Sequence, residues 1–160
     1  MYLGIKMIII KDNCNIFDGG AQAIIHQANC FNTMGSGIAR QIRELYPEAY
    51  AADCMTDRGD RRKLGHFSWT KTGDGKFHIY NCYSQYEYGR ERRHTNYEAI
   101  YTGLTDIKAH AESHGLTTLS LPHMMGCMLG GGSWRIVAAI IDEIFSTDPE
   151  TALYICKYNP

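Results

Sequence analysis

The sequence lacks any long apolar run that could serve as a membrane anchor or a leader. No stretch approaches the roughly 20 consecutive apolar residues that a membrane-spanning helix needs. The apolar run from Met7 to Ile10 is too short for the core of a signal peptide, and no small-residue cleavage pattern follows it. We therefore expect a cytoplasmic protein with no membrane partner.

An excess of charge of one sign is also missing. The chain has 16 lysines and arginines against 17 aspartates and glutamates, for a formal net charge of −1. Proteins dedicated to nucleic-acid binding usually carry a basic excess, so this balance argues against nucleic acid as a partner. Two short basic runs, at 58–63 and 90–93, leave a local basic patch open, although solvated loops are the more common interpretation of such runs.

The six cysteines form no C-x-x-C pair and no cysteine–histidine cluster with zinc spacing. His110 and His114 are four residues apart, but two surface histidines on a helix are a simpler interpretation than a metal site. We predict reduced, mostly buried thiols, no metal and no cofactor.

Short apolar segments alternate with helical patterns along the chain. Strands are predicted at 7–10, 23–26, 66–72, 76–83, 117–121 and 152–156, with a hairpin turn at 72–75. Apolar positions at helical spacing predict helices from about 37, 97 and 134, with Leu45 and Tyr101 among the buried positions. Pro47 is expected to break or restart the first helix. The alternation predicts an α/β fold with helices on both faces of a mixed sheet, in one domain covering residues 1–160.

Two glycine-rich segments follow predicted strands and open predicted helices. In the first, at 29–39, Gly35 and Gly37 permit backbone angles that other residues avoid, and the helix start offers N–H groups to a phosphate. In the second, at 126–134, three consecutive glycines carry an entropic cost unless a close approach to the backbone is needed. A structural turn and a flexible surface loop are the respective alternatives. Ligands of such sheets sit beyond the carboxyl ends of the strands, so the two loops together favour a clamp on a diphosphate.

The first of these loops resembles a motif of the macrodomain family, N-C-x-x-x-M-G-x-G-I-A followed by a helix that ends in Y-P. Asn29, Cys30 and residues 34–39 match it, as do Tyr46 and Pro47. The Q-Y-x-Y-G stretch at 85–89 and the loop at 126–134 also fit, and the resemblance runs from about residue 11 to residue 154. The chain is most similar to the branch that contains ADP-ribose-1″-phosphate phosphatases and terminal ADP-ribose glycohydrolases.

This resemblance implies a three-layer α/β/α macrodomain that binds ADP-ribose or ADP-ribose-1″-phosphate, with ADP-ribosylated macromolecules as further candidate partners. Matching positions assign the adenine end to Asn13, or to Asp12 if the alignment shifts by one residue, and place Asn29 beside the distal ribose. The residues implied to line the diphosphate and distal ribose are Gly35, Ser36, Gly37, Ile38, Gly126, Cys127, Met128, Leu129, Gly130, Gly131 and Gly132.

Departures from the family pattern bear on catalysis. The lysine of the glycohydrolases is replaced in the Ser84-Gln85 stretch, and their second-loop aspartate corresponds to Gly130. Compared with the phosphatases, Met128 replaces a glycine and Ser133 replaces an aspartate. Serine cannot act as a carboxylate base, and the missing lysine argues against a covalent lysine mechanism.

Histidines are the remaining general-acid candidates, because their pKa lies near working pH. We expect His26 to end its strand and His123 to precede the second loop, with both side chains facing the cleft. Asn29 is expected to position water or the distal ribose. A structural histidine at a strand end is the alternative for each histidine.

The leading hypothesis is an ADP-ribose-1″-phosphate phosphatase or a related ADP-ribosyl hydrolase. The alternatives are a non-catalytic ADP-ribose-binding module and a hydrolase that removes ADP-ribose from a modified macromolecule. A binder of another nucleotide or of RNA is the third alternative, supported only by the basic run at 90–93.

Overall fold

The computed structural model describes residues 7–158 of the chain. Its strands are β1 (Ile8–Asp12), β2 (Ala23–Ala28), β3 (Phe67–Lys71), β4 (His78–Tyr83), β5 (Thr118–Pro122) and β6 (Ala152–Lys157). Its helices are α1 (Gly37–Leu45), α2 (Pro47–Cys54), α3 (Tyr97–Ser113) and α4 (Trp134–Phe145), with a 3-10 turn at Arg61–Lys63. No helix in this described part is both long and apolar enough to cross a membrane.

The strands form one mixed sheet in the order β1-β6-β5-β2-β4-β3. β3 pairs antiparallel with β4, and the other neighbouring strands pair in parallel. Because β2 and β5 are parallel neighbours, the two glycine-rich segments that follow them leave the same edge of the sheet side by side. The sheet order therefore brings together two segments that are almost 100 residues apart in sequence.

Helices cover both faces of the sheet, which confirms the predicted three-layer fold. Ile25 of β2 packs in a cluster with Leu104 of α3 and Val137 of α4. The side chain of the preceding residue, Ile24, points to the other face of the sheet and packs with Ile42 of α1. A strand buried on both faces explains why this segment is apolar without alternation.

The helix boundaries follow local signals, but two predicted core positions are wrong. Pro47 is the first residue of α2. The preceding helix, α1, ends where the Tyr46 N–H donates to the Ile42 carbonyl. Leu45, at the end of α1, is 57% exposed, because the chain turns there and Tyr46 packs inward instead. Tyr101 is 47% exposed, since it lies one residue, or about 100° of rotation, from the buried stripe through Ile100.

Candidate functional site

Loop 1, residues 29–36, connects β2 to α1 and is shaped by its own first side chain. Asn29 Oδ1 accepts a hydrogen bond from the Phe31 N–H at 2.8 Å, and Asn29 Nδ2 donates to Thr33 Oγ1 at 2.7 Å. Asn32 and Met34 have φ values of +56° and +41°, a region that few side chains adopt. The amide of Asn29 is thus engaged at both ends in fixing the loop.

A buried lysine supports loop 1 from below. Lys63 is only 8% exposed, and its Nζ donates to the Cys30 carbonyl at 3.2 Å and to Asn32 Oδ1 at 2.7 Å. Burial lowers the pKa of Lys63, and the nearby Asp53 carboxylate opposes that shift. The sequence placed Lys63 in a basic run that is usually solvated. That interpretation is wrong for this residue, because its partners lie about 30 positions away and no local pattern marks them.

Loop 2, residues 123–133, packs closely on residues 93–95 and on Gln27. Thr95 Oγ1 donates to the Gly126 carbonyl at 2.6 Å, and the His94 and Thr95 N–H groups both donate to the Gly130 carbonyl. A Cβ at Gly130 would collide with Thr95 Oγ1 and would lie 2.8 Å from the Gly126 carbonyl oxygen. The glycines of loop 2 therefore permit close contact with the protein itself, and the flexible surface loop is the wrong alternative.

Loop 1 and loop 2 approach each other beyond the carboxyl ends of β2 and β5, and the space between them is called the cleft below. Gly37 has a φ of +58°, and a Cβ at that position would lie 3.8 Å from Leu129 Cδ1. Ser36 and Ser133 hold the N-cap positions of α1 and α4, and neither side chain makes a capping hydrogen bond. First-turn N–H groups of both helices thus remain available to an anion.

His123 stands at the end of the cleft nearest β1. Its N–H donates to the Cys156 carbonyl at 2.8 Å, and its ring meets Trp134 edge-on with centroids 4.9 Å apart. Burial lowers the pKa of His123, the Lys157 charge lowers it further, and Asp12 opposes both. Asp12 and Asn13 are exposed, and Asn13 has a φ of +52°. His123 therefore lies on the side of the sheet predicted for the adenine, next to β6 and near Asp12.

His26 does not face the cleft, so that expectation is wrong. β2 continues two residues beyond it to Ala28, and the His26 side chain is 0% exposed. Its Nε2 lies 2.6 Å from Asn81 Oδ1, and Asn81 in turn donates to Ser68 Oγ and to the Ala49 carbonyl. Burial lowers the pKa of His26 to about 4. The ring is a neutral part of the core and not an acid at the site.

The other predicted ligand-binding residues differ in exposure. Ile38 and Cys127 are half-buried, and burial raises the pKa of the Cys127 thiol. Met128 is 73% exposed, so its side chain points into solvent. The remaining predicted positions are exposed at Gly35, Ser36, Gly37, Leu129 and Gly131, half-buried at Gly126 and Gly132, and buried at Gly130.

Comparisons with known proteins agree with the fold. A family model described as Macro domain matches residues 25–141. The uncharacterized 17.5 kDa protein in the tk-vs intergenic region of Enterobacteria phage T4 is 32% identical over 129 residues, covering 77% of this chain and 79% of that protein. The ADP-ribose glycohydrolase OARD1 of Homo sapiens is 35% identical over 122 residues, covering 76% of this chain and 73% of that protein. The macrodomain of Mycobacterium tuberculosis DarG has a similar fold, with a TM-score of 0.79 at 21% identity over 97% of this chain and 99% of that one.

Proposed function

This chain belongs to the Macro domain family, and from that membership we propose that it binds ADP-ribose between loop 1 and loop 2 and hydrolyses a bond at the distal ribose of an ADP-ribose derivative. The meeting of two uncapped helix N-termini across one cleft carries the binding proposal. Backbone N–H groups bind a diphosphate without side-chain charge, which agrees with the net charge of −1.

The ligand would lie along the cleft with its adenine near β1 and its distal ribose near loop 1. Asp12 or Asn13 would read the adenine, and His123 would flank that end. Asn29 would position the distal ribose through the loop that it holds in shape. This assignment makes Asn29 a positioning residue and removes both histidines from the reacting bond.

Removal of ADP-ribose from a modified acceptor is the reaction that the relatives support best, since OARD1 is an ADP-ribose glycohydrolase. Water would attack the C1″ carbon, the bond from C1″ to the acceptor would break, and the acceptor would leave with a proton. By the family resemblance, the Ser84-Gln85 stretch and Gly130 correspond to the places where glycohydrolases carry a lysine and an aspartate. We therefore propose direct attack by water and no covalent lysine adduct.

We also propose a cytoplasmic location, on the sequence pattern alone.

A phosphatase reaction is the second candidate, because the Q-Y-x-Y-G stretch at 85–89 is typical of the ADP-ribose-1″-phosphate phosphatases. Water would then attack the phosphorus atom, and the products would be ADP-ribose and inorganic phosphate. The two reactions differ in the bond broken and in the product that an assay detects.

The decisive experiment is a calorimetric titration with ADP-ribose followed by two incubations. One uses an ADP-ribosylated acceptor and measures released ADP-ribose, and the other uses ADP-ribose-1″-phosphate and measures inorganic phosphate. Binding with release of ADP-ribose supports the glycohydrolase, and binding with release of phosphate supports the phosphatase. Binding without either product contradicts hydrolysis and leaves a binding module. Absence of binding contradicts the whole proposal.

A further inference from the structure

A pocket of about 390 Å³ opens beside loop 1, on the side of α1 and α2. The proposed function does not use it. Gly35 belongs both to this pocket and to the predicted ligand-binding residues, so the pocket adjoins the end of the cleft assigned to the distal ribose. The residues that form its walls include Phe31, Thr33, Gly35, Arg43, Tyr50 and Arg58.

Arg43 is held in place at the pocket wall. Its Nη1 donates to the Thr33 carbonyl at 3.1 Å, and its guanidinium carbon lies 4.0 Å from the centroid of the Tyr50 ring. A guanidinium carries five N–H donors, so most of them remain free after this single hydrogen bond. Stacking on an aromatic ring reduces the entropy that the side chain would lose on binding an anion.

Neither arginine of the pocket has its charge neutralised. Within residues 7–158, no carboxylate lies at ion-pair distance from Arg43 or Arg58. Glu44, the neighbour of Arg43, is paired with Arg40. Asp57 precedes Arg58 in sequence but does not line the pocket. The pocket therefore carries two unneutralised positive charges in a chain whose overall charge is close to zero.

The walls of the pocket are fixed without a ligand. The Tyr50 hydroxyl donates to the Asn32 carbonyl at 3.1 Å, and Asn32 Nδ2 donates to the Thr56 carbonyl at 3.0 Å. The Phe31 ring lies against Gly59, where a Cβ would come within 3.3 Å of it. These contacts satisfy the polar groups of loop 1 internally and leave the two guanidinium groups as the charged donors of the pocket. Arg43, which is held in place, and Arg58, which lines the same pocket, together suit a phosphate, whose oxygens accept charged hydrogen bonds.

We propose that this loop 1 pocket binds a phosphate ester on the C1″ side of the distal ribose, and that Arg43 and Arg58 bind its oxygens. The volume falls within the range of about 300–1,000 Å³ that is usual for small-molecule sites, so it has room for more than a phosphate. Phe31 and Tyr50 supply aromatic walls of the kind on which bases stack. The phosphate has two possible sources, the monoester of ADP-ribose-1″-phosphate and the phosphodiester of an ADP-ribosylated oligonucleotide. The inference rests on the proposed function, because it assumes that ADP-ribose occupies the adjoining cleft.

The test compares three ligands by calorimetry, or by KM where a ligand is turned over: ADP-ribose, ADP-ribose-1″-phosphate and a short ADP-ribosylated oligonucleotide. Arg58→Gln is the main variant, because Arg58 is exposed and makes no hydrogen bond among the described residues. We expect unchanged affinity for ADP-ribose and about tenfold weaker binding of a phosphate-bearing ligand, as a charged hydrogen bond would contribute. The slope of log affinity against log salt for the oligonucleotide should fall by about 1. Arg43→Gln should act in the same direction, with a further effect through Thr33.

Arg62→Gln is the matched control, because Arg62 belongs to the same basic run but pairs with Asp60 outside the pocket. It should leave the affinity of all three ligands unchanged. The ligand whose binding Arg58→Gln weakens identifies the source of the phosphate. If wild type binds ADP-ribose but Arg58→Gln weakens neither phosphate-bearing ligand, the pocket is not a phosphate site and the proposed function stands. If wild type does not bind ADP-ribose, the proposed function itself fails. If the affinity for an ADP-ribosylated acidic peptide depends on Arg58 while the affinity for the phosphate-bearing ligands does not, the phosphate assignment is wrong.

Discussion

His26 illustrates, at the scale of one residue, how the length of a strand decides the chemistry of a side chain. A histidine at the end of β2 would have been a candidate acid, but two further residues of strand place it under α2, against Asn81. His26 therefore affects the stability of the fold and not catalysis, because the packed core requires the ring to be neutral.

We predict that acid destabilises the fold partly through His26. Its pKa is about 4 in the folded protein and about 6.5 in the unfolded chain, so between these values the unfolded chain binds more protons. The contribution is complete above pH 6.5 and is lost as the pH falls toward 4, by about 2 kcal/mol at pH 5. Urea unfolding at pH 7.5 and pH 5 measures this loss, which His26→Gln should reduce. His66→Gln, at an exposed histidine, should keep it; an equal loss in His26→Gln and wild type would assign the effect to other groups.

We predict a second residue-scale effect at Lys63, whose amine holds two oxygens of loop 1. Lys63→Met keeps an unbranched side chain that is one heavy atom shorter, and it leaves the Cys30 carbonyl and Asn32 Oδ1 without this donor. The free energy of unfolding should fall by about 1–3 kcal/mol, and the affinity for ADP-ribose should fall with it, because loop 1 loses its support. Lys71→Met, at an exposed position of β3, is the control for loss of charge. Unchanged affinity in Lys63→Met would show that loop 1 keeps its shape without the amine.

The two loops use glycine for different purposes, which is a distinction at the scale of elements. A Cβ at Gly130 would collide with Thr95 and the Gly126 carbonyl, whereas a Cβ at Gly35 would meet nothing within 4 Å. We predict that Gly130→Ala lowers the free energy of unfolding by about 1–3 kcal/mol, because the loop must shift to admit a methyl group. Gly35→Ala should change stability by less than about 0.5 kcal/mol but weaken ADP-ribose binding. Urea unfolding and calorimetry on both variants test the distinction, and normal binding by Gly35→Ala would place the ligand away from that residue.

On the scale of the whole molecule, a ligand held by loops from two neighbouring parallel strands should stabilise the entire fold. We predict that ADP-ribose at 100 times its Kd raises the free energy of unfolding by about 2.7 kcal/mol. Gly37→Ala should reduce this gain, because the φ of +58° strains an alanine at the start of α1, where the diphosphate is proposed to bind. Gly115→Ala is the matched control, since Gly115 has a φ of +73° with nothing within 4 Å and lies at the opposite edge of the sheet. Thermal unfolding with and without ADP-ribose measures the stabilisation of each variant by the ligand. Equal stabilisation of the two variants would contradict the cleft assignment.

Charge also has a different meaning at the scale of the whole molecule. A net charge of −1 argues against an anionic macromolecule as a partner, but the net charge determines only the long-range electrostatic field of the protein. Folding pairs several surface charges, such as Arg40 with Glu44, and leaves Arg43 and Arg58 unpaired in one pocket. A composition total cannot reveal this arrangement, because it depends on which charges become neighbours.

The sequence by itself determined the α/β layering, the restart of the chain at Pro47, the hairpin between β3 and β4, and the two loops that open helices. Each of these depends on interactions between residues close in the chain, through apolar periodicity, backbone angles and hydrogen bonds along a turn. Only the tertiary structure decided that His26 is core, that Lys63 supports loop 1, that the glycines of loop 2 pack on Thr95, and that Arg43 and Arg58 share a pocket. These depend on partners between 15 and 55 positions away. The order of strands in the sheet and the packing of helices and loops against it bring these partners together, and no local pattern encodes either.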